Sequence, residues 1–179
     1  MGKNLVLIGF MGTGKSSVGI RLAQKMKRDF VDMDHEIELV SGMSIAEIFK
    51  RFGEVRFRSE ESLMAQKVGK RRDAVIATGG GAVLLNNNIE ALRENGILIC
   101  LDASPADIYA RVNRKKGTRP LLKKNVTIDD IEKLLQEREP FYASADIRIN
   151  TSDKDLDTII KEICQSLKEK NLMTNKYIS

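Results

Sequence analysis

Five short apolar runs recur along the chain: Leu5-Val6-Leu7-Ile8, Phe30-Val31, Val75-Ile76-Ala77, residues 97–101 and Ile147-Arg148-Ile149. Runs this short and apolar are what parallel strands show when both faces are covered. Between them the period changes. Val18, Leu22, Ala23 and Met26 share a helical face, predicting a helix that runs to about Lys27. Residues 35–40 read as a short helix, broken at Ser41-Gly42. Ser44-Ile45-Ala46-Glu47 is a capping box that opens another helix toward Phe52, and Gly53 punctuates it. Residues 54–70 are helix-prone and charged, and 87–94 read as a helix closed by Gly96. Ser104 and Pro105 start a helix that ends near Lys115. Residues 116–126 are a basic loop, and Thr127 caps a helix carrying Ile128, Ile131, Leu134 and Leu135. Leu156, Ile159, Ile160, Ile163, Cys164 and Leu167 form the stripe of a last amphipathic helix, followed by a frayed tail at 171–179.

Strands alternating with helices predict an α/β domain, a doubly wound parallel sheet of five strands. Ligands of such sheets sit beyond the carboxyl ends of the strands. Three strand ends carry unusual chemistry: the segment 9–16, Asp32-Met33-Asp34, and Thr78-Gly79-Gly80-Gly81.

Composition narrows the setting. The chain has 179 residues, 42% hydrophobic and 31% charged, so a single folded domain with a sizeable core is expected. No apolar run reaches the length of a membrane span, and the run near the start is too short for a signal-peptide core. The expectation is a soluble, cytoplasmic protein without a membrane partner. Cys100 and Cys164 both fall on apolar positions and read as buried free thiols. A single histidine and no C-x-x-C spacing argue against a structural zinc site. A net charge of +5 suits anionic ligands. It would also suit nucleic acid, but aromatics are only 5% and tryptophan is absent, leaving little for base stacking.

The most informative stretch is Gly9-Phe10-Met11-Gly12-Thr13-Gly14-Lys15-Ser16, which fits G-x-x-x-x-G-K-[ST] between a strand and a helix. Glycines let the backbone curl and turn its N–H groups inward, and the helix start adds its own. In this pattern Lys15 reaches the β- and γ-phosphates, and the Ser16 hydroxyl ligates Mg²⁺. Asp32 and Asp34 suggest metal handling or a hydroxyl acceptor, set against a polar strand end with Asp34 as a helix cap. The triple glycine is costly to order, which suggests a close approach of backbone to a ligand, set against a plain flexible turn. Arg58 with Glu61 at i, i+3 is consistent with a surface ion pair, and Arg56, Arg119 and Arg138 are each ordinary alone. His35 is assigned no role, and Lys67, Lys70, Arg71 and Arg72 read as a helix end.

Taken together these residues resemble the shikimate kinase family. The match comprises the loop at 9–16, Asp32-x-Asp34, Phe57-Arg58-x-x-Glu61, Gly79-Gly80-Gly81, Arg119-Pro120-Leu121-Leu122 and Glu137-Arg138-x-Pro140-x-Tyr142, in family order. The resemblance implies a three-layer α/β/α, nucleoside-monophosphate-kinase-like fold with strand order 2-3-1-4-5. It implies transfer of the ATP γ-phosphate to the 3-hydroxyl of shikimate, with ATP and Mg²⁺ bound. Carried over by position, Lys15, Asp34 and Arg119 are catalytic. Gly12, Thr13, Gly14, Lys15, Ser16, Ser17, Arg111 and Arg119 bind ATP, with Arg111 against adenine. Asp34, Arg58, Gly79, Gly80, Gly81 and Arg138 bind shikimate, the two arginines at its carboxylate. Ser16 ligates the metal and Asp32 meets it through water. Residues 34–61 form a substrate-binding helical segment and 112–126 a lid. A monomer acting on a small molecule, without nucleic acid, is expected.

Two positions depart from the family pattern: Ser17 stands where threonine is usual, and Asn150-Thr151-Ser152-Asp153 carries no basic residue. Two other readings are consistent with the residues. One is another hydroxy-acid kinase of the fold, such as a gluconate kinase; the other is a silent nucleotide-binding module.

Overall fold

A computed structural model of the protein describes residues 2–114 and 126–173. Five strands form one sheet: β1 (Asn4–Ile8), β2 (Asp29–Asp32), β3 (Ala74–Ala77), β4 (Gly96–Asp102) and β5 (Ile147–Asn150). Every pairing is parallel and the order is β2-β3-β1-β4-β5, as expected. Seven α-helices are described: α1 (Lys15–Met26), α2 (Met33–Ser41), α3 (Ile45–Gly69), α4 (Asn86–Glu94), α5 (Pro105–Arg114), α6 (Ile128–Tyr142) and α7 (Leu156–Glu169).

Both faces of the sheet are covered, which explains the unbroken apolar runs. Leu5 and Leu7 of β1 enter the core under α1 and α7, whereas Val6 and Ile8 enter the core under α2, α3 and α4. Ile97, Ile99 and Leu101 of β4 follow the first core, and Leu98 and Cys100 the second. All four apolar side chains of β1 are fully buried, each contributing roughly 1.5–3 kcal/mol on transfer from water. A third cluster gathers Phe10 with Ile108, Val112 and Ile131 of α5 and α6. The buried Asn4 side chain fixes the start of β3: its Nδ2 donates to the Arg71 carbonyl at 2.6 Å and its Oδ1 accepts from Ala74 N at 3.0 Å. Among the described residues no helix is long and apolar enough to cross a membrane.

Local signals place the helix ends well. Ser44 with Glu47 and Thr127 with Asp130 form capping boxes, and Asp155 caps α7. Gly53, at φ 79°, interrupts α3 with a kink, as its position in the pattern predicts. Two readings need correction. Gly96 does not close α4; Asn95 does, and Gly96 begins β4, where a Cβ would lie 2.3 Å from the Leu92 carbonyl oxygen. The cap at the second strand end is Asp32, and Asp34 sits inside the first turn of α2. A 3-10 turn, Ala82–Leu84, follows the triple glycine and carried no sequence signal.

Candidate active site

The segment 9–16 leaves β1, the central strand, at its carboxyl end. Gly9, Gly12 and Gly14 have φ of 137°, 83° and 96°, where other residues are strained. Gly9 is doubly required, because a Cβ there would lie 2.4 Å from the Leu101 carbonyl oxygen. Lys15 is buried and its ammonium closes the loop, donating to the carbonyls of Gly9 at 2.9 Å and Phe10 at 3.0 Å. The Thr13 hydroxyl donates to the Phe10 carbonyl at 2.8 Å. Helix α1 opens on Gly14 with no side-chain cap and no acid in its first turn. Helices α2, α3, α6 and α7 all have side-chain caps. The opening of α1 is thus suited to an anion.

At the end of β2, one carboxylate does two things. Asp32 Oδ1 caps α2, accepting from Asp34 N at 3.1 Å and His35 N at 3.4 Å. Its Oδ2 accepts the Ser16 hydroxyl at 2.6 Å. A hydroxyl and a carboxylate oxygen so close are hard donors of the kind Mg²⁺ takes. No group of three or more His, Cys, Asp or Glu side chains suited to a metal ion occurs among the described residues. A cation bound here would therefore draw its other ligands from phosphate and water, as Mg²⁺ does in such sites.

The cap directs Asp34 inward. Its Oδ1 is buried and has no hydrogen-bond partner. Burial, chiefly, then repulsion from Asp32, Glu61 and Glu38, only partly offset by Lys15, push its pKa up to about 6. Opposite stands the Arg58–Glu61 pair, for which spacing alone suggested the surface; Arg58 is half-buried and Glu61 buried. Glu61 has no exposed surface, and its Oε2 accepts from Arg58 Nη1 at 2.7 Å. Arg58 Nη2 also donates to Glu54 at 3.0 Å. Burial raises the Glu61 pKa against the lowering influence of Arg58 and Arg138.

The triple glycine makes room for these side chains. A Cβ on Gly79 would lie 2.6 Å from Glu61 Oε1 and 2.7 Å from Asp34 Oδ1, and one on Gly81 2.3 Å from Arg58 Nη1. At Gly80 the nearest atom is the amide nitrogen of Met11, 3.2 Å away. None of the three has a positive φ, so space rather than dihedral freedom demands glycine.

Arg138, late in α6, donates to the Gly80 carbonyl at 2.9 Å and lies over the Phe10 ring, its Cζ 4.9 Å from the centroid. Tyr142 closes on the same carbonyl at 3.4 Å. Arg111, at the opposite end, donates to the Gly12 carbonyl at 3.2 Å and to Thr151 Oγ1 at 3.1 Å, tying the loop to the segment after β5. Arg119 lies outside the described residues.

A cavity of about 700 Å³ joins these groups, a size suited to small molecules. Gly12, Gly14, Lys15, Ser16, Ser17 and Arg111 line one part; Asp32, Asp34, Arg58 and Gly79–Gly81 line another. Thr13 is buried behind the loop, and Arg138 reaches the cavity wall through Gly80. Thr78, in the strand end singled out above, also lines it, as do Glu38, Ile45 and Phe49, which the sequence did not mark individually. Phe49 stacks on Phe57 at 4.8 Å, an apolar wall hidden within an ordinary helical stripe.

A strand order of this kind, with a phosphate loop facing an acid across one cavity, defines the phosphate-loop kinases of small molecules. The family model described as shikimate kinase matches residues 11–168. The chain belongs to the shikimate kinase family. It is 49% identical over 169 residues to the shikimate kinase of Pelotomaculum thermopropionicum, covering 94% of this chain and 98% of that protein. It is 44% identical to that of Caldanaerobacter subterraneus subsp. tengcongensis, covering 92% and 95%. The shikimate kinase from Acinetobacter baumannii, solved in complex with shikimate, superposes with a TM-score of 0.90 at 34% identity, covering 97% of each chain. A gluconokinase from Sinorhizobium meliloti reaches a TM-score of 0.57 at 17% identity over 94% and 92% of the chains, a likeness of fold alone.

Proposed function

We propose that the chain transfers the γ-phosphoryl group of ATP to the 3-hydroxyl of shikimate, a step toward chorismate. The observation that carries this reading is the unpartnered, buried Asp34 oxygen beside Gly79, in the same cavity as the phosphate loop. A carboxylate with a raised pKa and an unused lone pair is suited to hold a hydroxyl and accept its proton. As the new O–P bond forms, the hydroxyl proton passes to Asp34, the bond to the β-phosphate oxygen breaks and ADP leaves.

The remaining residues divide between donor and acceptor. Gly12, Thr13, Gly14, Ser16 and Ser17 cradle the phosphates, and Lys15 brings positive charge to them. Arg111 lies toward the adenine; Arg119, and with it most of the lid expected at 112–126, lies outside the described residues. Ser16 and water held by Asp32 would bind Mg²⁺, which supplies charge neutralisation at the β- and γ-phosphates. On the acceptor side, Arg58 and Arg138 take the carboxylate and Gly79–Gly81 the ring face. Residues 34–61 act as the substrate-binding segment of a single kinase domain covering 1–179. We take the enzyme to be a cytoplasmic monomer, in keeping with two buried free thiols that suit a reducing compartment.

A coupled ADP-release assay with shikimate, gluconate and nucleoside monophosphates tests the reading. Turnover with shikimate well above the others is expected; none above background ATPase rejects the assignment.

A further inference from the structure

Phe10 belongs by backbone to the nucleotide loop and by side chain to the apolar cluster between α5 and α6, where it meets Arg138. Its carbonyl accepts from both Lys15 Nζ and Thr13 Oγ1, so the loop closes on it. Its ring is 1% exposed and packs with Ile108, Val112 and Ile131 of the helices on either side of residues 115–125. The guanidinium of Arg138 lies over that ring, 4.9 Å from its centre.

The two arginines assigned to the acceptor carboxylate are held in different ways. Arg58 lies over the Phe57 ring, 5.4 Å from its centre, and is also clamped by Glu54 and Glu61. Among the described residues no carboxylate lies within ion-pair distance of Arg138, though the Glu61 charge is felt there; the Gly80 carbonyl, the Tyr142 hydroxyl and the Phe10 face hold it. An aromatic face attracts a cation through its quadrupole without neutralising it, so the charge stays available to an anion. We propose that Phe10 is the positioning residue for Arg138, and that through it the ordering of the phosphate loop sets the readiness of the acceptor's carboxylate site. The ligand named here rests on the function proposed above; the Phe10–Arg138 seat does not.

Two measurements test the pair. The first places phenylalanine, 4-fluoro-, 3,5-difluoro- and pentafluorophenylalanine at position 10, near-isosteric rings of falling cation affinity. Shikimate Kd is then measured by calorimetry with and without ADP and Mg²⁺. Kd is expected to rise stepwise along the series, in total about 2- to 30-fold. The rise should be larger with nucleotide present, while the melting temperature stays level. A Kd that is flat across the series overturns the inference.

The second measurement follows the Arg138 Nε–Hε resonance by NMR in the wild type and in Phe10→Leu, without shikimate. A ring-current displacement that disappears in the variant supports the seat; an unmoved resonance overturns it. A chain that binds no shikimate yet loses the displacement in Phe10→Leu keeps the seat and rejects the substrate, so the two failures are separable.

Discussion

Asp34 Oδ1 and Glu61 Oε1 converge on the single point where Gly79 lacks a Cβ, and neither oxygen has a hydrogen-bond partner. Two acids from different helices are thus held unsatisfied around a notch in the backbone. An unsatisfied buried carboxylate costs stability unless a ligand completes it, so the pair behaves as part of a binding site rather than of the core.

Asp34→Asn should lower kcat by at least about 100-fold while leaving ATP affinity within a few-fold, because the amide keeps the shape and loses the base. Steady-state rates and a nucleotide titration check this. In the wild type, kcat/KM should fall tenfold per pH unit below about pH 6, where Asp34 takes up its proton. Its raised pKa also means that the folded state holds the proton more tightly than the unfolded chain. The stabilising effect is complete below the ordinary carboxylate pKa and lost as pH rises through about 6. Asp34→Asn should therefore be the more stable protein at pH 7, by up to about 2 kcal/mol, and the gap should close by pH 4 in paired denaturation curves.

The glycines should separate by which group each one admits. Alanine at 81 would displace the Arg58 guanidinium and should raise KM for shikimate, whereas alanine at 79 would move Asp34 and Glu61 and should lower kcat. The three obstructing groups are side-chain ends, but Arg58 and the buried Glu61 are ion-paired, so both variants should also lower the melting temperature. Alanine at 80, facing Met11 N at 3.2 Å, should be mildest in kinetics. A kinetic series for the three variants checks the order.

Asp32→Ala should show two separable losses. Removal of the α2 cap should cost about 1 kcal/mol in a melt without ligands. Loss of the oxygen beside Ser16 should move the Mg²⁺ dependence of the rate to higher concentration, which a titration at fixed ATP would detect.

Arg111→Ala should loosen the loop even without nucleotide, since Arg111 joins Gly12 to Thr151. Faster amide exchange at residues 12–13 in the free protein is the expected sign. Loss of ATP affinity with unchanged exchange would instead assign Arg111 to the base alone.

Much was legible in the sequence because it is encoded locally. Gly9, Gly12 and Gly14 answer to φ, Ser44 and Thr127 to helix ends a few residues away, and the strand runs to cores on both faces. Even the parallel order followed, through the family resemblance. At residues 32–34 the outcome was less legible: the sequence offered Asp34 as the cap, and the hydrogen bonds show Asp32 in that place.

The tertiary structure alone decided which charges are buried. Arg58 and Glu61 at i, i+3 look like any solvated pair, because the spacing fixes their contact but not their surroundings. The docking of α3 against the turn at Gly79–Gly81 removes water from Glu61 and brings it to Asp34, 27 positions earlier in the chain. Likewise no spacing joins Phe10 to Arg138; α6 must pack on the loop for the ring to meet the cation. Pattern and propensity act over a few residues and set what each segment becomes. Desolvation, and with it the pKa of Asp34, depends on which segments meet, and that is settled only when the sheet and its helices close around the cavity.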